Sequence, residues 1–372
     1  MKVAYFIGSL NRGGTEMLLL DICQRKKYAP YEMIIIYRND GELTNEFRST
    51  GVKMIRIKPI GLQSGYYIQL RRLLKKEMVN ILHTQTLTNA LIGVISTCFS
   101  SIRLVASFHG FYRSWKQFFF RQIVMWNADA LVFVSRFFHD WYIKKSFFCP
   151  RSHSYVVHNG INFDKIDLRY PEPNFLIEEK KNKPDAVKMV MVGNFSSTRS
   201  QLVICRSIKL LIDQGINNFD FYFVGKRLET DTVRYDECVN YCSKENLLEY
   251  VHFMGGRGDV PAILQYVDAF VYSTNHDTFG IAVVEALASG LPVVVNDWKV
   301  MKEIICDKEW ATFFRSQDEV DCCEKMKELI NNIVLRKKMA QENKSEIRKT
   351  YSIENHIDNL TKVYEQVCNV KI

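Results

Sequence analysis

The sequence predicts an α/β protein of two doubly wound, Rossmann-like domains, residues 1–170 and 186–352, facing a central cleft. Three observations predict it. Short apolar, β-prone runs alternate with helical stretches from the start of the chain. A polar, proline-broken segment, Asp164 to Asp185, interrupts that alternation near the middle, as an interdomain linker would. The alternation then resumes at Met189 and continues for most of the remaining chain. A chain of 372 residues has room for two such domains, each with its own core.

Taken in order, Val3 to Ile7 is a continuous apolar run and reads as a buried first strand. Gly13-Gly14 follows just before a helix expected from Met17 to Gln24. Paired glycines there let backbone approach a phosphate or sugar, although G-x-G-x-x-G is absent. Met33 to Tyr37 and Val52 to Ile57 are the next strands. Tyr66 to Met78 reads as a helix with a cationic stripe, Arg71, Arg72, Lys75 and Lys76. Such a stripe is either a solvated face or a surface for anionic lipid. Strands at Ile81-Leu82 and Leu104 to Phe108 run into His83 and His109, the end of a strand that faces the ligand crevice in these sheets. Phe111 to Trp126 mixes aromatics, Trp115 among them, with Arg113, Lys116 and Arg121. That composition suits an interfacial helix or a long aromatic core helix. Ala130 to Val134 and Tyr155 to His158 complete the first set of strands.

After the polar segment, Met189 to Val192 is a strand, residues 193–201 a loop, and Gln201 to Gln214 a helix. Phe219 to Val224 is a strand, Thr230 to Lys244 a helix, and Val251 to Met254 a strand closed by Gly255-Gly256-Arg257-Gly258. The stretch Tyr272 to Asn296 then reads as strand end, polar loop, helix and strand. Phe279-Gly280 opens its helix and Gly290 is placed to end it. Asp277 precedes the helix and Glu285 lies one turn inside it. A helix N-terminus offers free N–H groups and partial positive charge to a phosphate, and two acids flanking it suit hydroxyls on either side. The competing reading is that both acids only serve the helix start.

The totals exclude little but point one way. A net charge of +9 favours an acidic partner: nucleic acid, anionic lipid or a phosphorylated substrate. No nucleic-acid motif accompanies it. The ten cysteines include Cys238 and Cys242 at helical spacing, with no second pair to complete a zinc site, so reduced thiols in a cytoplasmic protein are expected. Met1-Lys2 leads directly into the first strand, unlike a signal peptide, and the apolar run Ala90 to Phe99 is too short to span a bilayer.

These motifs together resemble glycosyltransferase family 4, the retaining enzymes of GT-B fold, over nearly the whole chain. Asp277, Phe279-Gly280, Glu285 and Ala288-Ser-Gly-Leu-Pro-Val293 match the family's Glu, seven residues, Glu pattern, with Asp in place of the first Glu. Gly13-Gly14-Thr15-Glu16 is similar to its N-terminal glycine loop. Ser107-Phe108-His109-Gly110 resembles the segment whose histidine faces the reacting sugar, and His158-Asn159-Gly160-Ile161 the element ending the first domain. Asn194 stands where many members carry Arg, and Arg199 where Lys is usual. Phe253 to Val260, with Arg257, is similar to the segment beside the nucleotide base.

The resemblance implies that Arg199 and the amides of Phe279, Gly280 and Ile281 hold the donor pyrophosphate and Glu285 the ribose. It implies that Asp277 and His109 attend the transferred sugar, with Gly13, Gly14, Asn194 and Arg257 also on the donor. It further implies a helix from about 353 to 372 returning to the first domain. No metal and no cofactor is expected: no Asp-x-Asp motif is present, and cations with a helix N-terminus can stabilise the departing nucleotide. A nucleotide-sugar, with UDP favoured over GDP, is then substrate. The acceptor is a saccharide or polyprenyl-linked saccharide of bacterial surface polysaccharide synthesis, O-antigen or capsule. The chain would sit peripherally on the inner face of the membrane. A nucleotide-sugar 2-epimerase of the same fold and a non-catalytic nucleotide-sugar binding protein are the alternatives, and the missing dinucleotide fingerprint disfavours a dehydrogenase.

Overall fold

The computed structural model describes residues 1–58, 64–111, 114–147, 153–306 and 309–369. Tyr112, Arg113, Cys149 and the last three residues of the helix expected over 353–372 lie outside them. The chain divides into two compact units, Met1–Ile161 with Tyr351–Ile372, and Asn162–Thr350.

The first unit is built on seven parallel strands: β1 (Lys2–Ser9), β2 (Glu32–Asn39), β3 (Lys53–Arg56), β4 (Ile81–Thr84), β5 (Arg103–Phe108), β6 (Ala130–Phe133) and β7 (His153–Val156). Their order is β3-β2-β1-β4-β5-β6-β7. Helices alternate with them: α1 (Gly14–Gln24), α2 (Thr44–Ser49), α3 (Ser64–Lys76), α4 (Leu87–Thr97), α5 (Trp115–Asn127) and α6 (Arg136–Lys144). Helices covering a parallel sheet exclude water from both of its faces, which is why the central strands read as unbroken apolar runs. Val3 to Ile7 are wholly buried.

The second unit begins with α7 (Asp164–Asp167) and α8 (Asn174–Asn182), inside the segment expected to be a linker. The prolines mark a helix start here: the Leu176 N–H donates to the Pro173 carbonyl at 2.9 Å. Leu176 is buried and Phe175 packs on Tyr222 with ring centroids 5.3 Å apart, so the segment is part of the second unit's packing. There follow β8 (Val187–Val192), α9 (Gln201–Asp213), β9 (Phe219–Val224), α10 (Thr232–Lys244), β10 (Val251–Phe253) and α11 (Val260–Tyr266). Next come β11 (Ala269–Tyr272), α12 (Ile281–Ser289), β12 (Val293–Asn296), α13 (Lys299–Ile305), β13 (Thr312–Phe314), α14 (Glu319–Asn331) and α15 (Ile333–Tyr351). The sheet order is β10-β9-β8-β11-β12-β13, again all parallel.

Helix α16 (Ile353–Asn369) returns the chain to the first unit. Ile353, Ile357, Leu360, Tyr364 and Val367 fall on one stripe and are buried in the core formed with Val3, Tyr5, Ile35 and Leu20. Burying each such side chain contributes about 1.5–3 kcal/mol. Gly160 admits this helix: a Cβ there would lie 2.6 Å from the Cβ of His356 and 2.7 Å from the Cα of Ile353. The Asn-Gly-Ile element is thus a close-approach point between the end of the sheet and α16.

Candidate active site

In the second unit strand order reverses between β8 and β11, so the loops leaving these strands flank the crevice where doubly wound sheets bind ligands. Those loops, residues 193–200 and 273–280, carry the predicted donor residues and are laced together. The Ser200 N–H donates to the Ser273 carbonyl and the Asn275 N–H to the Thr198 carbonyl, both at 3.1 Å. Thr274 is fixed from the other side by Asn296, which accepts its N–H at 2.9 Å and donates to its carbonyl at 2.8 Å.

Arg199 and Asp277 meet across this junction, with the guanidinium 3.3 Å from Oδ2. The same oxygen accepts the Tyr272 hydroxyl at 2.6 Å, while Oδ1 accepts the N–H groups of Thr278 at 2.9 Å and Phe279 at 3.4 Å. Asp277 is only 8% exposed. Both its oxygens accept hydrogen bonds from the protein, and Oδ2 also faces the Arg199 guanidinium. Here it anchors the loop and Arg199. Burial works against the Arg199 charge, but Tyr272 and Asp277 outweigh it and hold the guanidinium more firmly protonated than usual. Burial, with Asp277 beside it, pushes the Tyr272 hydroxyl well up despite the opposing pull of Arg199, so it remains a donor. The guanidinium lies 5.3 Å over the Tyr272 ring and its Nε is buried without a partner.

Gly280 follows at φ +89°, ψ 53°, and caps the start of α12. This left-handed backbone suits glycine, and a Cβ there would meet the Met301 Cε at 2.7 Å. Phe279 is buried, which leaves backbone rather than side chain at the mouth of the helix. Glu285 sits half-buried one turn in. The Asn194 Oδ1 accepts the Lys226 N–H at 2.9 Å and ties the loop after β8 to the loop after β9. Gly193 and Gly225 allow this, since a Cβ on Gly225 would fall 2.0 Å from the Gly193 carbonyl oxygen. Arg257 is engaged in a two-pronged pair with Asp259, at 2.8 and 2.6 Å, and lies 4.9 Å over the Phe175 ring. That pairing raises its own proton affinity and lowers that of Asp259. Sequence reasoning missed Tyr272 and Lys226. Both stand at the carboxyl ends of central strands, and that rule alone would have nominated them.

In the first unit Gly13 caps α1 in extended conformation. The Glu16 carboxylate lies over it, 2.5 Å from where a Cβ would stand, and burial raises its pKa. Gly14 is the first helical residue. His109 leaves β5 and its Nε2 lies 2.6 Å from the Gln85 Oε1. Beside it is a cavity of about 10 Å³, lined by His83, His109, Asn159 and His356 among others. Burial pushes His83 down to about 3, helped by the nearby His109 and His356. It pushes His109 to about 4 with help from His356, and His356 itself to about 4. All three are therefore neutral at neutral pH.

The surface residues divide. Arg71 donates to the carbonyls of Cys98 and Phe99 at 2.9 and 3.2 Å and so caps the end of α4 instead of joining a free stripe. Arg72, Lys75 and Lys76 are exposed, as is Lys116. On α5, Trp115 is 75% and Phe119 57% exposed, with Phe120 and Trp126 also outward, so this face is not core. Arg121, expected among the interfacial cations, turns inward against the rings of Phe108 and Tyr142 and donates to the Gly110 carbonyl at 2.8 Å. Among the described residues no helix is long and apolar enough to cross a membrane, and no group of His, Cys, Asp and Glu is placed to hold a metal ion.

Comparison with known proteins places both units. The family model "Glycosyltransferase Family 4" matches residues 12–165 and the model "Glycosyl transferases group 1" matches residues 174–346. The chain is similar to the UDP-Gal:alpha-D-GlcNAc-diphosphoundecaprenol alpha-1,3-galactosyltransferase of Escherichia coli, 25% identical over 62% of this chain and 61% of that one. It is also similar to the O-antigen biosynthesis glycosyltransferase WclY of Escherichia coli, 21% identical over 84% of each chain. The epimerase alternative finds no support among the relatives. The Anabaena HepE protein, solved with UDP and glucose, shares the fold at TM-score 0.82 and 15% identity, covering 98% of this chain and 99% of its own. With one model over each unit and this common architecture, the chain belongs to the glycosyltransferases of family 4, with the GT-B fold.

Proposed function

We propose that this glycosyltransferase moves a sugar from a nucleotide-sugar, a UDP-sugar by preference, to a saccharide or polyprenyl-linked acceptor in bacterial O-antigen or capsule synthesis. The observation that carries the reading is the junction of residues 193–200 and 273–280 at the strand-order reversal. It sets the half-buried Arg199 beside the N-terminus of α12, with Glu285 one turn behind. A pyrophosphate finds a fixed cation and the N–H groups of a helix N-terminus there, and this preorganised charge stabilises the departing nucleotide without a metal or other cofactor. The UDP preference and the lipid-linked acceptor draw on what the E. coli galactosyltransferase is named for and on the nucleotide bound by HepE. Transfer proceeds with retention, by front-face attack of the acceptor, with His109 hydrogen-bonding the sugar.

The exposed aromatic face of α5 and the cations Arg72, Lys75, Lys76 and Lys116 support peripheral attachment at the inner face of the membrane, where a polyprenyl-linked acceptor resides. The test has two steps. Thermal shift against UDP and GDP names the base, because a ligand binding only the native state raises its melting temperature. Labelled donor is then incubated with polyprenyl-diphosphate saccharides in EDTA, and the product anomer is read by NMR. Release of free sugar with no acceptor product, loss of transfer in EDTA, or an inverted anomer would each overturn the corresponding part.

A further inference from the structure

We propose that Gln85 is the positioning residue for His109, and that its orientation is set from the last helix through Tyr364 and His83. The proposal rests on the reading of His109 as the group that faces the donor sugar. Gln85 leaves the end of β4 between two histidines. Its Oε1 lies 2.6 Å from the His109 Nε2, and its Nε2 lies 3.4 Å from the His83 Nε2. An amide oxygen only accepts, so His109 carries its proton on Nε2 and leaves Nδ1 unprotonated. The amide nitrogen only donates, so the His83 Nε2 is an acceptor, and it also takes the Ser107 hydroxyl at 2.6 Å. The proton of His83 is then on Nδ1, which lies 2.6 Å from the Tyr364 hydroxyl on α16.

From Tyr364 the chain of hydrogen bonds runs to Tyr5 at 3.0 Å and on to Tyr31 at 2.9 Å. In this one direction each donor between His109 and Tyr31, which stands just before β2, meets an acceptor. His83, Gln85, Ser107, Tyr5 and Tyr364 are all buried, and the neighbouring cavity has room for about one water. A flipped Gln85 amide would reverse the whole chain and move the His109 proton to Nδ1, and the two arrangements differ in a measurable way. Tautomer choice by a second partner is the ordinary means of aiming one nitrogen of an imidazole at a ligand.

The experiment is ¹⁵N NMR of histidine-labelled protein near neutral pH, with the His109 signals assigned by their loss in His109→Gln. The wild type is expected to show His109 protonated on Nε2. Gln85→Leu is expected to lose that preference, and Gln85→Glu, which still accepts, to retain it. Tyr364→Phe is expected to move the His83 signals. In transfer assays Gln85→Leu should lower kcat on the order of tenfold with donor KM nearly unchanged, since misplacing a contact made in the transition state costs kcat. Gln85→Glu should recover most of the rate. A wild-type proton on Nδ1, or a Gln85→Leu protein with an unchanged tautomer, overturns the proposal. If Gln85→Leu does not fold, the wild-type and Gln85→Glu tautomers still decide it. A tautomer that shifts while kcat stays constant supports the positioning and refutes the role of His109 in transfer.

Discussion

Asp277→Asn tests whether this acid acts on the sugar or through Arg199. At 3.3 Å the pair would gain about 5 kcal/mol by Coulomb's law at an effective dielectric near 20, before desolvation is subtracted. The side chains are 22% and 11% exposed, so solvent screens them little, and removing one charge strands the other. Breaking such a pair costs roughly 3 kcal/mol, at the lower end for buried ions because Thr198, Thr274 and the Tyr272 ring still surround the guanidinium. For a domain of this size that is a fall of about 6–12 °C in the melting temperature of the second unit.

Arg199→Met should cost a similar amount, and the double variant clearly less than the sum, with a coupling of about 2 kcal/mol. Urea denaturation of the four proteins measures it. Isothermal titration with UDP and with the UDP-sugar gives the functional arm: Asp277→Asn should change both affinities by the same factor. Additive stabilities, or a loss confined to the UDP-sugar, would refute the anchoring role and restore Asp277 as a sugar ligand.

Gly280→Ala should destabilise by about 1–3 kcal/mol, because it forces a side chain into left-handed backbone and against Met301. Adding Met301→Ala should recover only the contact share, as thermal melts will show. Stability should also depend on pH. His83, His109 and His356 are held near 3, 4 and 4 when folded, so between the unfolded value near 6.5 and about pH 4 the unfolded chain binds more protons. Their stabilising share is therefore whole above about pH 6.5 and is lost as pH falls toward 4. Melting temperature followed by circular dichroism over that range checks the sign, and a flat profile contradicts it. Replacing Trp115, Phe119 and Phe120 with Ala should abolish pelleting with anionic vesicles at high salt, whereas replacing Arg72, Lys75 and Lys76 should weaken it only at low salt. Salt-resistant pelleting of the aromatic variant would argue against this face.

Much of the sheet framework was legible because parallel strands buried on both faces must be apolar throughout. Val3 to Ile7 and Ala269 to Tyr272 admit little else. The loop before α12 was legible because Gly280 and Gly290 both occupy positive φ, where other residues are strained. What escaped depends on contacts distant in sequence. Nothing near Arg121 says that its guanidinium goes inward to the Gly110 carbonyl, and nothing near Arg71 says that it caps α4. The pairing of Asp277 with Arg199 escaped because the two arrive on different loops. The prolines before α8 looked like a linker because a helix start and a chain break use the same residues. Strand β13, three residues at a sheet edge, is too short for any periodicity to announce.

The hydroxyl contact between Tyr5 and Tyr364 joins residues 359 positions apart. The first unit therefore contains residues made before and after the whole of the second, Asn162–Thr350, which is contiguous. During synthesis the second unit can complete its core while the first still lacks α16 and exposes the Tyr5, Ile35 and Leu20 surface that the helix covers. The usual order of N-terminal completion is thus inverted. A ribosome stalled before Ile353 would hold a chain whose donor half is finished and whose other half is an open, sticky sheet. Chaperone capture should concentrate on that half.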